Sequence, residues 1–243
     1  MLIKACLNGN RRRDEHPTIP ISPPELALEA HHAMLAGAGA VHVHPRTAAG
    51  DESLEPHTCA AAIEAIRRSC PGLPVGLTTG AWIEPDPERR SWLVARWDVL
   101  PDFASVNVSE DGTVSVAAAL LRRGVGVEAG VAIVEDARRV VELGLGDRCL
   151  RILVEIHEER NPRAAVAKAA AIDAELEASG VDAPRVHHGS GPSTWAVIEA
   201  AAAKGHDVRV GLEDTLVLPD GRVARDNAEL VAEAVRLIAG PAG

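Results

Sequence analysis

The chain has no tyrosine, one phenylalanine and four tryptophans. Base stacking needs aromatic faces, so this scarcity argues against a single-stranded nucleic acid ligand. Basic residues are also in deficit: 25 Lys and Arg stand against 35 Asp and Glu, a formal net charge of −10 at pH 7. A phosphate backbone needs a basic face, which this balance does not provide. No apolar run is long enough to span a bilayer and no basic, apolar leader opens the chain, so a soluble, cytoplasmic protein with no membrane partner is expected. The four cysteines (Cys6, Cys59, Cys70 and Cys149) lack CxxC spacing. That fits reduced core thiols better than a disulfide framework or a cysteine metal site.

What is present is a repeating alternation of short β-branched runs and alanine-rich helical stretches. Leu2 to Gly9 reads as a first strand, and Ser22-Pro23-Pro24-Glu25 opens a helix with a serine N-cap, prolines in the first turn and a glutamate at the capping-box position. Strands are expected again at Ala40, Pro74–Gly80, Phe103–Val108, Val125–Gly130, Leu150–Ile156, Arg185–His188 and Asp207–Leu212. Helical stretches separate them, and the last runs from Asn227 to Ala239. Eight strand–helix units in 243 residues, with no break in composition, imply a parallel sheet closed into a (β/α)8 TIM barrel over residues 1–243. Sites in such barrels sit at the carboxyl ends of the strands.

The stretch Ala40-Val41-His42-Val43-His44-Pro45-Arg46 carries two imidazoles two residues apart. Strand side chains alternate, so His42 and His44 share a face while Val41 and Val43 take the other. Taken alone, the pair reads equally well as two metal ligands or as hydrogen-bonded groups in a barrel mouth. In strand eight, Val208, Val210 and Leu212 face the helices, which turns Arg209, Gly211 and Glu213 toward the barrel axis. Glu213 then completes a His, His, carboxylate set with open positions, the pattern of a catalytic metal site; the plainer alternative is an ion pair with Arg209. Asp214 is placed to hold Arg209 or to cap the loop. Strand six ends in Glu155 and His157, and of the adjacent His187 and His188 at most one can face inward. Any anionic substrate must be met locally, and Arg46 follows the histidine strand directly. The only run of three basic residues, Arg11 to Arg13, reads as a solvated loop.

His-Val-His-Pro-Arg, Thr-Thr-Gly at 78–80, Ser-Val-Asn at 105–107, the strand-five glutamate, Arg-Val-Gly-Leu-Glu-Asp at 209–214 and Asp-Asn-Ala-Glu-Leu-Val at 226–231 occur in that order. In this the chain resembles the β-keto acid cleavage enzymes. The resemblance implies a zinc-dependent, homo-oligomeric barrel, a dimer or tetramer, that takes a β-keto acid and acetyl-CoA and yields acetoacetate and a new acyl-CoA. Carried over by position, His42, His44 and Glu213 are the zinc ligands and Arg209 with Asp214 the base-forming pair. A guanidinium is always protonated, so anion stabilisation is the better role for Arg209. Thr78 and Ser105 fall at positions where the family uses hydroxyl residues, and Asn107 and Glu128 at substrate-contacting ones. Two departures stand out. Asn10 replaces an acidic residue of the first loop, which disfavours an amino-bearing substrate, and Glu155, His157 and Glu158 stand where a glycine-rich loop is common. Two other readings are a zinc-water hydrolase or lyase on the same barrel and a barrel that binds a ligand without turnover.

Overall fold

The computed structural model describes residues 1–157 and 159–240; Glu158 and residues 241–243 lie outside the described residues. Eight parallel strands close into a barrel in chain order. They are β1 (Ile3–Cys6), β2 (Ala40–Val43), β3 (Val75–Leu77), β4 (Phe103–Asn107), β5 (Gly126–Val131), β6 (Arg151–Ile156), β7 (Arg185–Gly189) and β8 (Asp207–Val210). Helices α1 (Pro23–Leu35), α2 (Pro56–Ser69), α3 (Pro87–Ala95), α4 (Thr113–Arg122), α5 (Val134–Glu142), α6 (Pro162–Ala178), α7 (Thr194–Ala203) and α8 (Asn227–Ala239) follow the strands in turn. This is the TIM barrel that the alternation implied. Among the described residues no helix is long and apolar enough to cross a membrane.

Local chemistry sets the helix starts. Glu25 closes the capping box of α1 on the backbone of Ile21 and Ser22, and Asn161 accepts from the backbone N–H groups of Arg163 and Ala164 at the head of α6. Outward strand residues such as Val41, Val43, Val208 and Val210, and Leu212 just past β8, are fully buried beneath the helices. Several strands stop earlier than their apolar runs: β1 ends at Cys6, β2 at Val43 and β8 at Val210. Beyond these points side-chain amides join the remaining backbone bonds: Asn8 pairs with His44, and Asn227 with Leu7 and Leu212.

The barrel interior holds a buried charge cluster. Lys4 Nζ pairs with Glu128, Arg151 Nε lies 3.3 Å from the same carboxylate, and both cations flank the Phe103 ring at 5.6 and 5.5 Å. Glu128, expected among the substrate contacts, is therefore a correction. It is fully buried inside the barrel, one layer deeper than Gly130, the strand-five position that reaches the mouth.

Candidate active site

A cavity of about 270 Å³ opens at the carboxyl ends of the strands. His42, His44, Thr78, Ser105, Asn107, Arg209, Glu213, Asp214 and Asn10 all line it, as do Arg11, Trp82, Glu155, His157 and Ser190. Arg46 is the second correction. Its guanidinium turns away from the mouth and donates to the carbonyls of Gly9, Arg11 and Gly50 at 2.6, 2.9 and 2.9 Å. The reason is Pro45, where the strand has already ended, so alternation no longer fixes which way residue 46 points. Arg46 clasps the loops after β1 and β2 to each other. A wider hollow beside Arg12, Arg13 and Arg46 lies outside the mouth and contains none of the converging ligands.

His42 is seated by the ladder, opposite Cys6 of β1 and Gly76 of β3. His44 lies one residue past the strand, where the side-chain amide of Asn8 replaces a neighbouring strand: Asn8 Oδ1 accepts from the His44 N–H and Asn8 Nδ2 donates to its carbonyl, both at 2.9 Å. Glu213 rides on a turn after β8 whose N–H reaches the Cys6 carbonyl at 3.2 Å. Gly9 (φ +54°) packs directly against it, and a Cβ there would sit 2.4 Å from Glu213 Cγ. The first loop and the last strand thus shape one carboxylate.

The three side chains converge. His44 Nε2 lies 3.5 Å from Glu213 Oε1 and His42 Nε2 4.0 Å from Glu213 Oε2. The donor atoms all fall within 4.8 Å of one another. On the far side of the His44 ring, Nδ1 meets Glu52 Oε1 at 2.5 Å, and Trp82 Nε1 also donates to Glu52 while its ring stacks on the imidazole. A carboxylate behind a ligating imidazole fixes its tautomer and aim. Buried His42 Nδ1 and Glu213 Oε2 have no hydrogen-bond partner. Two imidazoles and a carboxylate with an orphaned oxygen, backed by an oriented outer carboxylate, fit a divalent ion of the zinc type.

The electrostatics agree. Burial drives the His42 pKa well down, against Glu213. Burial also presses on His44, but Glu213 and Glu52 overcome it and lift that group to about 9. A divalent ion at such a cluster would compete with a proton for the same imidazole. Below it, Arg209 Nη2 bridges Glu213 Oε1 at 2.6 Å and Asp214 Oδ1 at 2.7 Å, while Nε reaches Asp214 at 3.1 Å. The ion pair foreseen for Glu213 is thus formed through Oε1, and Oε2 stays on the His42 side, 4.0 Å from Nε2. Burial opposes the charge of Arg209, but Asp214 and Glu213 outweigh it and the guanidinium stays cationic. Burial likewise pushes the Glu213 carboxyl up, and Arg209 with the two histidines holds it well below its ordinary value.

Across the mouth, His188 is the inward member of its pair and His187 the outward one. His188 Nε2 contacts Glu155 at 3.1 Å and its Nδ1 contacts Asp214 at 3.1 Å, whereas His187 faces Asp173 of α6 at 3.2 Å. Asn8, Glu52 and Trp82 are partners that sequence reasoning missed. All three lie in loops, where no periodicity reports orientation.

Fold and site together define a (β/α)8 barrel with a His, His, carboxylate centre at its mouth. The chain belongs to the beta-keto acid cleavage enzyme (BKACE) family, which it matches over residues 1–241. It is 26% identical over 257 residues to the 3-keto-5-aminohexanoate cleavage enzyme of Fusobacterium nucleatum, covering 98% of this chain and 90% of that protein. It is 34% identical over 107 residues to the 3-oxoadipate:acetyl-CoA acetyltransferase of Cupriavidus necator, covering 43% of this chain and 36% of that one. In fold it is similar to ObcA in its binary complex with oxaloacetate (TM-score 0.72, 19% identity), covering 89% of this chain. The chain spans 62% of the length of that structure.

Proposed function

We propose that the protein cleaves a β-keto acid by exchange with acetyl-CoA, giving acetoacetate and a new acyl-CoA, with zinc held by His42, His44 and Glu213. The observation that carries this reading is the convergence of those three side chains directly beside the Arg209–Asp214 pair, in a chain of this family. When bound, zinc supplies a Lewis acid for the ketone and carboxylate oxygens of the keto acid.

The chain's own groups do the rest. Thr78 and Ser105 offer hydroxyls and Asn107 an amide on one wall of the cavity, where they orient the keto acid. Arg209 keeps its proton and stabilises negative charge as a proton leaves the carbon between ketone and carboxylate. Asp214 lines the same cavity and is the member of the pair that can accept that proton. The carbanion attacks the acetyl thioester and expels coenzyme A thiolate. The thiolate then adds to the original ketone carbon, and breaking the carbon–carbon bond releases acyl-CoA and, after protonation, acetoacetate. At the rim Asn10 presents an amide where a carboxylate would favour a substrate ammonium, so the proposed keto acid lacks an amino group. An acyl-CoA substrate fits a cytoplasmic enzyme, and we expect a homo-oligomer, a dimer or tetramer.

The test is a panel of β-keto acids with and without acetyl-CoA. Consumption that requires acetyl-CoA, with acetoacetate and acyl-CoA formed in equal amounts, is the expected outcome. Two free acids formed without any thioester would instead identify hydrolysis by zinc-bound water.

A further inference from the structure

We propose a second divalent-metal site across the mouth from the first, built by Glu155, His157 and His188 and suited to a borderline transition ion such as zinc or cobalt. It repeats the composition of the first centre, two imidazoles and one carboxylate, on β6 and β7 instead of β2 and β8.

The sequence logic is also repeated. Glu155 and His157 are two residues apart at the end of β6 and point the same way, as His42 and His44 do on β2. His188 is the ladder partner of Glu155 on β7. Room for the carboxylate comes from Gly130, where a Cβ would stand 2.5 Å from Glu155 Oε1 and equally close to Asn107 Oδ1. Any larger residue on β5 would push Glu155 out of place.

The distances suit an ion. His188 Nε2 and His157 Nε2 lie 3.1 and 3.3 Å from the same oxygen, Glu155 Oε2. Ligands about 2.0 to 2.1 Å from a tetrahedral zinc are separated from each other by about 3.3 Å. The His157 ring is also held from behind, its Nδ1 3.3 Å from Ser190 Oγ, while the buried His188 Nδ1 lies 3.1 Å from Asp214 Oδ1 without forming a hydrogen bond. Such outer partners orient ligating imidazoles. All three donor atoms fall within 4.8 Å of one another.

Charge points the same way. Glu155 is 8% exposed, and among the described residues its only ion-pair partners are these two imidazoles. A buried carboxylate needs compensation, and a divalent ion provides it while both rings stay neutral. The cluster of Asp173, His187 and His206 outside the barrel has similar ligand types but no such need. There Lys204 and Arg185 already neutralise Asp173 at 3.0 and 3.2 Å.

The experiment counts cobalt bound per chain in the metal-free full-length protein, by titration and by elemental analysis after desalting, with no substrate present. Native protein is expected to take up two equivalents, and His157→Ala, at a half-exposed rim position, only one. The double variant His42→Ala/His44→Ala should also retain one, and all three substitutions together should retain none. Glu155→Gln should match His157→Ala. Saturation of native protein at a single equivalent, or a second equivalent that survives both His157→Ala and Glu155→Gln, overturns the proposal. Either result leaves the first centre and its chemistry untouched, since that reading is tested by turnover.

Discussion

His44 shows how much of a candidate ligand's position is set by side chains outside its own strand. It stands past the end of β2, held through its backbone by Asn8 and through its ring by Glu52. Glu52→Ala should therefore weaken metal binding by about 10- to 100-fold while leaving thermal unfolding nearly unchanged; competition with a chromophoric chelator measures this. Arg209→Lys should lower acetyl-CoA-dependent turnover by about 100-fold or more, because an ammonium cannot span Glu213 and Asp214 and still reach a developing anion. A variant that keeps the parental kcat would remove Arg209 from the chemistry. His42, His44, Arg209 and Glu213 were legible in the sequence because they lie on or beside strands, where the two-residue period fixes the facing side. Arg46 misled because Pro45 ends that period. Glu52 was invisible because its approach depends on the antiparallel bridge between Arg46 and Glu52, which folds the loop back on itself.

At the scale of elements, the starts of α1 and α8 were legible to within a residue or so, because Ser22 with two prolines marks the first and Asp226 caps the second. Strand ends were not, because apolar character continues past the last ladder bond: Leu7 and Leu212 are fully buried yet lie outside β1 and β8. The contact of α6 with β7 was equally hidden. Asp173 on α6 meets Arg185 and His187 of β7 and Lys204 after α7. Burial pushes the Asp173 carboxyl up, but His187 and Lys204 overcome it and hold the pKa below its ordinary value. A depressed carboxyl contributes stability that is fully present above its unfolded pKa of about 3.9 and is lost progressively as pH falls from there through the folded value. Denaturant midpoints measured from about pH 6 down to about pH 2 should fall more steeply for native protein than for Asp173→Asn, chiefly below about pH 4. At neutral pH that variant, which leaves the buried Arg185 only the exposed Glu177 carboxylate at 3.0 Å, should be destabilised by about 1 to 3 kcal/mol.

At the scale of the whole molecule, the barrel closes where β1 meets β8. Asn227 at the head of α8 seals this seam: its amide donates to the Leu7 carbonyl at 3.1 Å and to Glu29 at 2.8 Å, and its oxygen accepts from the Leu212 N–H at 2.9 Å. Asn227→Ala leaves several buried polar groups unpaired and should cost about 2 to 4 kcal/mol, read from chemical denaturation. Metal affinity should fall with it, since Gly9 and Glu213 lie on the two sides of that seam; undiminished affinity would show that the turn after β8 holds without it. The seam also orders events in time. The two histidines leave the ribosome before the carboxylate that faces them, and that carboxylate is aimed only when β8 docks on β1. On the proposed reading, tight binding of an ion at the first centre becomes a signature of a finished ring, and a chain in which β8 has not joined β1 should hold it no better than a loose pair of imidazoles would.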